Sequence, residues 1–543
     1  MTHGGRAFSR RQAIGLTLLG TIGALAAPTL LASCATGPRA VTAAGLELVN
    51  PPLRRAGADG RLTGALVAKV GEVDVGIGAK VRTYTFDGAL PGTTWELRPG
   101  ETIAVELSND LPRDSGAHAA HGATGSGAPT PAPTETAAGG EVIETLMTRP
   151  HAWTTTNLHT HGLHVSPSDT EEGAGDNVFL VLEPGERQRY DIRIPEDHTG
   201  GLFWYHPHHH GGVKQQVRGG MAGALIIRGA IDEVPEVAAA AEKILVLQDI
   251  ELTAEFSLAE PTPDDPNGDY WPEAQDYWII NGQYQPVITM RPGEVQRWRI
   301  VNAAASASAQ LTVGGHPVHH LAYDGYTLAK PAQQDATLVV PGGRVELLIR
   351  AGALGTYDVE LLPTTEIPAE APTPDKDGYV LAGQLPRLVA TVRVEGDPID
   401  MALPSALPAY NPPILPIAKR RTVSYDSVYD AKGDFLGLGV LGEAFEPSNA
   451  PYRMRLGTAE EWAVEDMDDG FTHIFHIHIN PFLVTEVNGV ALDPPQWRDT
   501  FPLGPNDFVM QMNLDDFTGK YVDHCHYVDH EDMGMMEAVE VVA

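Results

Sequence analysis

The sequence predicts an all-β protein built from tandem β-sandwich domains. Its length of 543 residues allows about three or four domains, and its 57 glycines and 43 prolines favour short strands joined by turns. One unit also recurs: residues 86–109 resemble residues 280–302, and each reads as a strand, an Arg-Pro-Gly-Glu turn and an alternating strand that ends at Asn. A repeated all-β unit indicates repeated domains.

Weaker copies of this unit extend the pattern along the chain. A third copy covers residues 453–466, and shorter relatives of the turn appear at 182–194 and 339–351. Composition then separates the domains, because residues 230–243 and the proline-dense residues 403–417 read as linkers. The predicted domains are 41–230, 240–400 and 415–543. A stretch at 117–140, rich in Ala, Gly, Pro and Thr, is predicted to be a flexible insertion in the first domain.

Residues 1–36 are predicted to be an export signal. Arg6, Arg10 and Arg11 form a basic start, and "SRRQAIGL" resembles a twin-arginine signal. The apolar run that follows ends in "LASC", which resembles the bacterial lipobox. Cys34 would then carry lipid and attach the exported protein to the outer face of a bacterial cell membrane. The alternatives are a plain cleaved signal peptide and an uncleaved anchor helix.

Charge and cysteine content limit the partners of the protein and the roles that its cysteines can have. A formal net charge of −34 argues against a nucleic-acid partner, since a polyanion would be repelled. The chain has 2 cysteines, and if Cys34 carries lipid, Cys525 is the single thiol of the mature protein. No disulfide can then form within it, so Cys525 is a buried apolar filler, a reactive thiol or a metal ligand.

Ten of the 21 histidines fall into four short clusters. All four clusters contain His-x-His, and in three of them the pair lies among apolar, β-branched or aromatic residues, as expected of strands. Residues i and i+2 of a strand share a face, so both imidazoles of a pair can point at one site. The clusters contain His159 and His161; His206 and His208; His473, His476 and His478; and His524, His526 and His530.

Imidazoles and a thiolate together favour copper, zinc or iron over hard cations. A structural zinc site needs four ligands in a closed tetrahedron, and these clusters offer too many imidazoles for that. Cys525, two histidines and a methionine would also make the His₂Cys set, with an axial Met, of a blue-copper electron-transfer site. Copper is therefore the favoured metal.

With these clusters, the sequence resembles the multicopper oxidase family, laccase-like enzymes of three cupredoxin domains. The clusters occur in the family's order, and the similarity extends to "DNVFLVLEPGE", "QQVRGGMAGALII", "WRDTF" and "GKYVDHCHYVDHEDMGMM". It covers essentially the whole chain after the signal. The resemblance implies three tandem cupredoxin-like Greek-key sandwiches and four copper ions: one type 1, one type 2 and two type 3.

The resemblance also implies which residues hold each copper. Two departures from the family pattern, Ile474 in place of the usual proline and Pro207 inside the second pair, remove no ligand. The type 1 ligands would be His473, Cys525, His530 and the axial Met535; the type 2 ligands His159 and His476; and the type 3 ligands His161, His206, His208, His478, His524 and His526.

The implied reaction couples four one-electron oxidations of a substrate at the type 1 copper to reduction of dioxygen to water at the other three. Oxygen reduction consumes protons, so an acid is expected near the cluster. Glu531 and Asp176 are the candidates. Seven further histidines are predicted to be structural or incidental: His164, His198, His209, His210, His316, His319 and His320.

The electron donor is left open by the sequence. A phenol or aromatic amine is one interpretation, and a metal ion such as Cu(I), Fe(II) or Mn(II) is the alternative. The 12 methionines are scattered apart from three in 533–536, which argues against a cuprous-ion specialist. The acidic stretch 465–470 before His473 could attract cations, although a solvated loop explains it as well. A copper-binding protein without oxidase activity is the third class considered.

Overall fold

The computed structural model describes residues 45–113, 153–258, 275–363, 386–447, 450–467, 472–504 and 507–543. These residues form three pairs of β-sheets, here called sandwiches 1, 2 and 3, which confirms the all-β prediction. The predicted signal with Cys34 and the predicted insertion at 117–140 lie outside the described residues. Within the described ranges, no helix is long and apolar enough to cross a membrane.

Sandwich 1 packs a sheet of order β1-β4-β10-β9-β6 against one of order β3-β2-β5-β7, in which β8 also pairs with β5. Its core contains Trp95, Ile103, Phe203 and Leu225. The strands are β1 Leu53–Arg55, β2 Arg61–Asp74, β3 Lys80–Phe86, β4 Thr94–Leu97, β5 Thr102–Asn109, β6 His159–His161, β7 Arg187–Arg189, β8 Ile192–Arg193, β9 Gly201–His206 and β10 Gly223–Ile227.

Sandwich 2 packs a sheet of order β13-β12-β11-β15-β20-β17-β18 against one of order β14-β22-β21-β16-β19. Its core contains Trp298, Leu311, Leu347 and Val392. The strands are β11 Ala241–Leu252, β12 Gln275–Ile280, β13 Gln283–Tyr284, β14 Val287–Met290, β15 Val295–Asn302, β16 Ala309–Val313, β17 Val318–Tyr323, β18 Tyr326–Gln334, β19 Thr337–Val339, β20 Arg344–Arg350, β21 Gly355–Leu362 and β22 Arg387–Val394.

Sandwich 3 packs a sheet of order β24-β23-β26-β31-β28-β29 against one of order β25-β33-β32-β27-β30. Its core contains Trp462, Phe475, Met510 and Cys525. The strands are β23 Ile417–Tyr429, β24 Phe435–Val440, β25 Tyr452–Arg455, β26 Thr458–Asp466, β27 His473–Ile477, β28 Phe482–Val487, β29 Val490–Arg498, β30 Thr500–Leu503, β31 Phe508–Leu514, β32 Gly519–Cys525 and β33 Met536–Val542.

Short helices connect or flank the sandwiches. A 3₁₀ helix, Ala230–Glu233, and α2, Pro235–Ala239, lie between sandwiches 1 and 2 in the chain. Helix α1, Val213–Arg218, follows the second histidine cluster, and α3, Val528–Asp532, follows Cys525. Val217 of α1, Ala305 of sandwich 2 and Val528 of α3 belong to one buried apolar cluster. All three sandwiches therefore meet beside the histidine clusters.

The repeated turn has the same chemistry in sandwiches 1 and 2. Arg98 donates its backbone N–H to Glu101 Oε2 at 2.7 Å, and Arg291 donates to Glu294 Oε2 at 2.8 Å. The glycine between them, Gly100 in the first copy, has φ +86°, a conformation that favours glycine. In each copy the glutamate side chain accepts the backbone N–H of the arginine that begins the turn. This contact explains why Arg-Pro-Gly-Glu recurs at these hairpins.

The asparagine that ends each repeat is also equivalent. Asn109 donates its side-chain amide to the carbonyls of Thr154 and Leu182, each at 2.7 Å. Asn302 donates in the same way to Ala307 and Val339 at 2.9 and 2.8 Å. Each buried amide provides hydrogen bonds to backbone carbonyls near the end of the strand. The sequence repeat therefore corresponds to the same structural feature in both sandwiches.

Candidate metal centres

Two of the histidine clusters lie at one edge of sandwich 1. Edge strand β6 pairs antiparallel with β9, and the register places His159 opposite His206. His159 and His161 share a strand face because they are two residues apart. His208 follows β9, and its backbone N–H donates to Asn157 Oδ1 at 2.7 Å. Sandwich 1 thus presents four imidazoles along this edge.

Four more imidazoles come from β27 and β32 of sandwich 3 and from the residues just after these strands. These strands pair antiparallel, with His476 opposite His524. His526 is anchored to the same pair of strands, because its backbone N–H donates to the carbonyl of Ile474 at 2.7 Å. Strand alternation directs His476, His478, His524 and His526 toward sandwich 1.

The eight rings meet between sandwiches 1 and 3, where their nitrogens face one another. His161 Nδ1 lies 3.2 Å from His526 Nε2, and His208 Nε2 lies 3.1 Å from the Nε2 atoms of both His478 and His524. Three groups have all their candidate ligand atoms within 4.8 Å of one another: His159 with His161 and His476; His161 with His206 and His526; and His208 with His478 and His524. These groups bring together the residues predicted for the type 2 and type 3 coppers.

Hydrogen bonds on the outer side of the rings direct the remaining nitrogen inward. His476 Nδ1 donates to the carbonyl of Asp499 at 2.7 Å, and His206 Nδ1 donates to that of Pro207 at 2.8 Å. His159 Nδ1 lies 2.9 Å from Asp176 Oδ2. The Nε2 atoms of these three rings are buried and make no hydrogen bond. Because buried polar atoms normally have partners, these orphaned nitrogens fit a bound metal ion.

The electrostatics of the cluster also suit metal binding. Burial and the neighbouring imidazoles lower the pKa of His161, His206 and His476 well below the ordinary value. Burial lowers the pKa of His208 to about 3. Rings with such pKa values are neutral at physiological pH, and the neutral imidazole is the metal-binding form.

The second centre lies within sandwich 3. Cys525 Sγ lies 3.8 Å from His473 Nδ1 and 3.6 Å from His530 Nδ1, and the two ring nitrogens are 3.1 Å apart. The Ile474 backbone N–H donates to Cys525 Sγ at 3.4 Å. Burial raises the pKa of the Cys525 thiol, so a neighbouring cation is needed to favour the thiolate.

Backbone hydrogen bonds hold Met535 beside this group. Its N–H donates to the carbonyl of His530 and its carbonyl accepts from the N–H of Cys525, each at 3.0 Å. The side chain is fully buried in the same core cluster as Cys525. This places Met535 next to the group, while its role as the axial ligand stays a prediction.

Cys525 joins the two centres. It belongs to the group with His473 and His530, while its neighbours His524 and His526 belong to the other groups. Successive strand residues point to opposite faces, which explains how one tripeptide serves both centres. The donor sets therefore match one His₂Cys site and one site of eight histidines.

Comparison with known proteins identifies the family. Three sequence models, each described as multicopper oxidase, match residues 129–231, 248–372 and 412–543. The chain belongs to the multicopper oxidase family. It is therefore an oxidoreductase.

Individual multicopper oxidases are distant in sequence but similar along their length. The multicopper oxidase mco of Staphylococcus aureus is 21% identical over 483 residues, 88% of each chain. The laccase of Bacillus subtilis is 22% identical over 495 residues, 85% of this chain and 90% of the laccase. The structure of the multicopper oxidase from Campylobacter jejuni, described as a metallo-oxidase, aligns with TM-score 0.70 and 22% identity over 92% of this chain and 95% of that one.

The two acids predicted near the oxidase's cluster differ in their contacts. Asp176 is held on both oxygens, since Oδ2 contacts His159 Nδ1 and Oδ1 accepts the Thr160 N–H at 2.9 Å. Glu531 is fully buried, with its oxygens 3.4 Å from His208 Nδ1 and 3.3 Å from His524 Nδ1, distances without hydrogen-bond geometry. Asp176 therefore has the contacts of a positioning residue. Both oxygens of Glu531 lack a hydrogen-bond partner; burial raises the pKa of this carboxyl, but the imidazoles of His208 and His524 lower it more.

Sequence patterns did not indicate several residues that contact the cluster. Thr500 Oγ1 lies 3.2 Å from both His161 Nε2 and His476 Nδ1. Trp204 stacks on His206, with ring centroids 4.1 Å apart. Asp499 and Thr500 lie inside "WRDTF", so resemblance to the family was the only sequence signal for them.

Several other histidines have partners of their own. His164 lies 2.8 Å from Asp516 through Nε2, and its Nδ1 donates to the carbonyl of Ile479 at 2.9 Å. His316 Nε2 accepts the N–H of Gly352 at 2.9 Å. His320 stacks on Tyr323 in sandwich 2.

Proposed function

We propose that this multicopper oxidase is laccase-like: it couples one-electron oxidations of a phenol or aromatic amine to reduction of dioxygen to water. The observation that carries the proposal is the tripeptide of His524, Cys525 and His526, which links the His₂Cys group to the eight-histidine cluster. Two donor sets joined by consecutive peptide bonds suit transfer of electrons from a substrate at one to an acceptor at the other.

The chain would hold four coppers, one type 1, one type 2 and two type 3, at the residues predicted for them. Copper, when bound, supplies the one-electron redox chemistry. The chain supplies neutral rings, outer hydrogen bonds that fix which nitrogen faces inward, and burial that excludes bulk water. The eight cluster imidazoles are all buried, whereas His530 is partly exposed.

Glu531 is proposed to hold a proton for oxygen reduction. Its carboxylate lies between the rings of His208 and His524 and is closed off from solvent. An acid buried beside the place where oxygen is reduced can deliver protons without admitting bulk water. Asp176, by contrast, is proposed to orient His159.

The partial exposure of His530 supports small reducing substrates. His473 and Cys525 are fully buried, so of these three residues His530 is the one that a donor can approach from solvent. Contact at a ring edge needs no dedicated ligand set, which suits phenols and aromatic amines of varied shape.

A metal-ion donor is the second candidate, and one contact favours it. Asp466 Oδ1 lies 3.7 Å from His473 Nε2, and the next residue, Met467, is 60% exposed. A carboxylate and a thioether beside the His₂Cys group offer donor atoms to a cation such as Cu(I). The rest of the acidic stretch, residues 468–470, lies outside the described residues.

One experiment separates these functions. The copper-loaded protein is examined for thiolate-to-copper absorption, and its oxygen uptake is measured with a phenol, Cu(I), Fe(II) and Mn(II). Uptake with the phenol that survives Asp466→Asn and Met467→Leu supports the laccase-like function. Uptake with a metal ion alone, lost in these variants, would favour the second candidate. Blue colour without any oxygen uptake would contradict both and indicate a copper-binding protein.

Export and lipid attachment through Cys34 are likewise proposed, from the sequence motifs. Replacement of Cys34 by Ala should move the protein from the membrane fraction to the soluble fraction of the producing bacterium. A wild-type protein found in the soluble fraction would contradict the anchor.

A further inference from the structure

Arg344 contacts all three sandwiches from a fully buried position. It begins strand β20 of sandwich 2, and its guanidinium reaches Asp499 of sandwich 3, with Nη1 2.7 Å from Oδ1 and Nη2 2.5 Å from Oδ2. Its Nε–H donates to the carbonyl of Leu202 in sandwich 1 at 3.3 Å. The other two N–H groups donate to the carbonyls of Gly342 and Asp324 at 3.1 and 3.0 Å. All five donors of the guanidinium are thus used.

Asp499 connects Arg344 to two imidazoles of the cluster, His476 and His161. Its carbonyl accepts from His476 Nδ1 at 2.7 Å, and its Oδ1 accepts from Thr500 Oγ1 at 2.8 Å. Oδ1 also lies 3.6 Å from His161 Nε2, which is 3.2 Å from Thr500 Oγ1. The inward nitrogens are therefore Nε2 of His476 and Nδ1 of His161, the two atoms left for a metal.

The residue after His161 packs closely against the guanidinium of Arg344. Gly162 has φ +84°, and a Cβ there would lie 2.3 Å from Arg344 Nη2 and 2.6 Å from Asp499 Oδ2. Gly342, which also accepts from Arg344, has φ +77°, and a Cβ there would lie 2.6 Å from the ring of His526. The first close approach brings the backbone next to His161 up against this ion pair, and the second brings a backbone that accepts from Arg344 up against a ring of the cluster.

We propose that Arg344 is a positioning residue for the eight-histidine cluster. Through Asp499 it orients His161 of sandwich 1 and His476 of sandwich 3, so that sandwich 2, which supplies none of the eight imidazoles, sets the copper affinity of the cluster. This inference rests on the proposed function, in which these imidazoles hold copper. If Arg344 has this role, the cluster is complete only when all three sandwiches are correctly docked.

The test replaces Arg344 by Lys and counts copper. Lysine keeps the charge but has three donors and no planar fork, so it cannot hold both oxygens of Asp499 and the three carbonyls. Copper per chain is measured after dialysis against graded chelator, together with the thiolate-to-copper absorption. We expect the absorption to persist and the cluster to lose copper affinity by roughly 10- to 100-fold, the usual effect of a residue that orients metal ligands.

Arg299→Lys is the matched control. Arg299 is also a fully buried arginine of sandwich 2, with bonds of 2.8, 3.0 and 2.8 Å to Glu242, Glu346 and Asp232, and it contacts none of the eight rings. Its variant measures what loss of a buried guanidinium does to the fold alone. Copper retention in Arg299→Lys equal to wild type, beside copper loss in Arg344→Lys, supports the inference.

A second variant keeps the test decisive if Arg344→Lys fails to fold. Asp499→Asn keeps the shape of the side chain and the carbonyl that accepts from His476, but removes the charge that pairs with Arg344. It should show the same selective loss of copper. A wild-type chain with one copper would overturn the proposed function and this inference with it. A wild-type chain with four, beside Arg344→Lys and Asp499→Asn chains that also retain four, would overturn the inference alone.

Discussion

The two candidate metal centres differ in how many parts of the chain build them. The His₂Cys group is drawn from sandwich 3 alone, from strands β27 and β32 and the helix that follows β32. The eight-histidine cluster takes rings from two sandwiches and depends on their contact. The first centre needs one correctly folded sandwich, whereas the second needs sandwiches that are also correctly docked.

The two centres differ in exposure as well. His530 gives the His₂Cys group a partly exposed edge, while each ring of the cluster is buried. An exposed ring suits a centre that receives electrons from varied donors, and a closed cluster suits oxygen chemistry that must exclude water. The comparison implies that variants should be able to disable one centre and leave the other intact.

The largest effect is expected from Cys525→Ser. Loss of the sulfur removes the ligand that gives the thiolate-to-copper absorption and the residue that joins both centres, so the protein should be colourless. Oxygen uptake should fall to the rate of the copper-free chain. Absorption spectra and an oxygen electrode check both. A blue Cys525→Ser protein would show that the cysteine is not the ligand.

The next effect concerns the cluster alone. Glu531→Gln keeps the size of the side chain but removes its ability to hold a proton, so oxygen uptake should fall by roughly 10²- to 10⁴-fold, with colour and copper content unchanged. Asp176→Asn is the companion variant, and it should instead weaken copper binding because it loosens His159. Undiminished oxygen uptake in Glu531→Gln would exclude Glu531 as the proton donor.

A smaller effect is expected at the His₂Cys group alone. Ile474→Pro removes the N–H that donates to Cys525 Sγ at 3.4 Å. Without this bond the thiolate donates more charge to the metal, so the reduction potential should fall by roughly 60 mV or less, and the absorption should shift. Ile474→Val keeps the N–H and is the control. Equal potentials in the two variants, measured by redox titration, would contradict the account.

The smallest effect tests the docking of sandwiches 1 and 3 beside the cluster. Burial disfavours a charged His164, but hydrogen bonds to Asp516 and to the carbonyl of Ile479 outweigh it and raise the pKa of His164 above its ordinary value of 6.5. The stabilisation is therefore complete below pH 6.5 and is lost as pH rises through the raised pKa. Since Asp516 is 43% exposed, solvent limits the pair to about 0.5 kcal/mol.

Asp516→Asn should remove this pH dependence. Its melting temperature relative to wild type should be lower at pH 6 and equal at pH 9, measured by calorimetry. A difference that stays constant across this range would show that protonated His164 does not contribute.

The sequence predicted what short-range patterns encode. The Arg-Pro-Gly-Glu turn and the strand-ending Asn predicted the tandem sandwiches, because each device acts within a few residues. The His-x-His spacing predicted shared faces, which the registers of β6 and β27 display. The resemblance to the family then assigned the groups that the structure brings together.

Long-range contacts could not be predicted in the same way. The pair of Arg344 and Asp499 spans 155 positions and two sandwiches, and no local pattern indicates that an arginine in a strand of sandwich 2 will reach a cluster built by the other two. The difference between Asp176 and Glu531 was hidden for the same reason, since it lies in hydrogen bonds and not in residue type.

Copper counting shows whether one chain holds two separable copper centres. Copper per chain is determined for the loaded wild-type and Cys525→Ser proteins after removal of loosely bound metal. We expect four ions in the wild type and three in the variant, since the cluster keeps its eight imidazoles. A wild type with a single copper, or a Cys525→Ser protein that loses all its copper, would contradict this expectation.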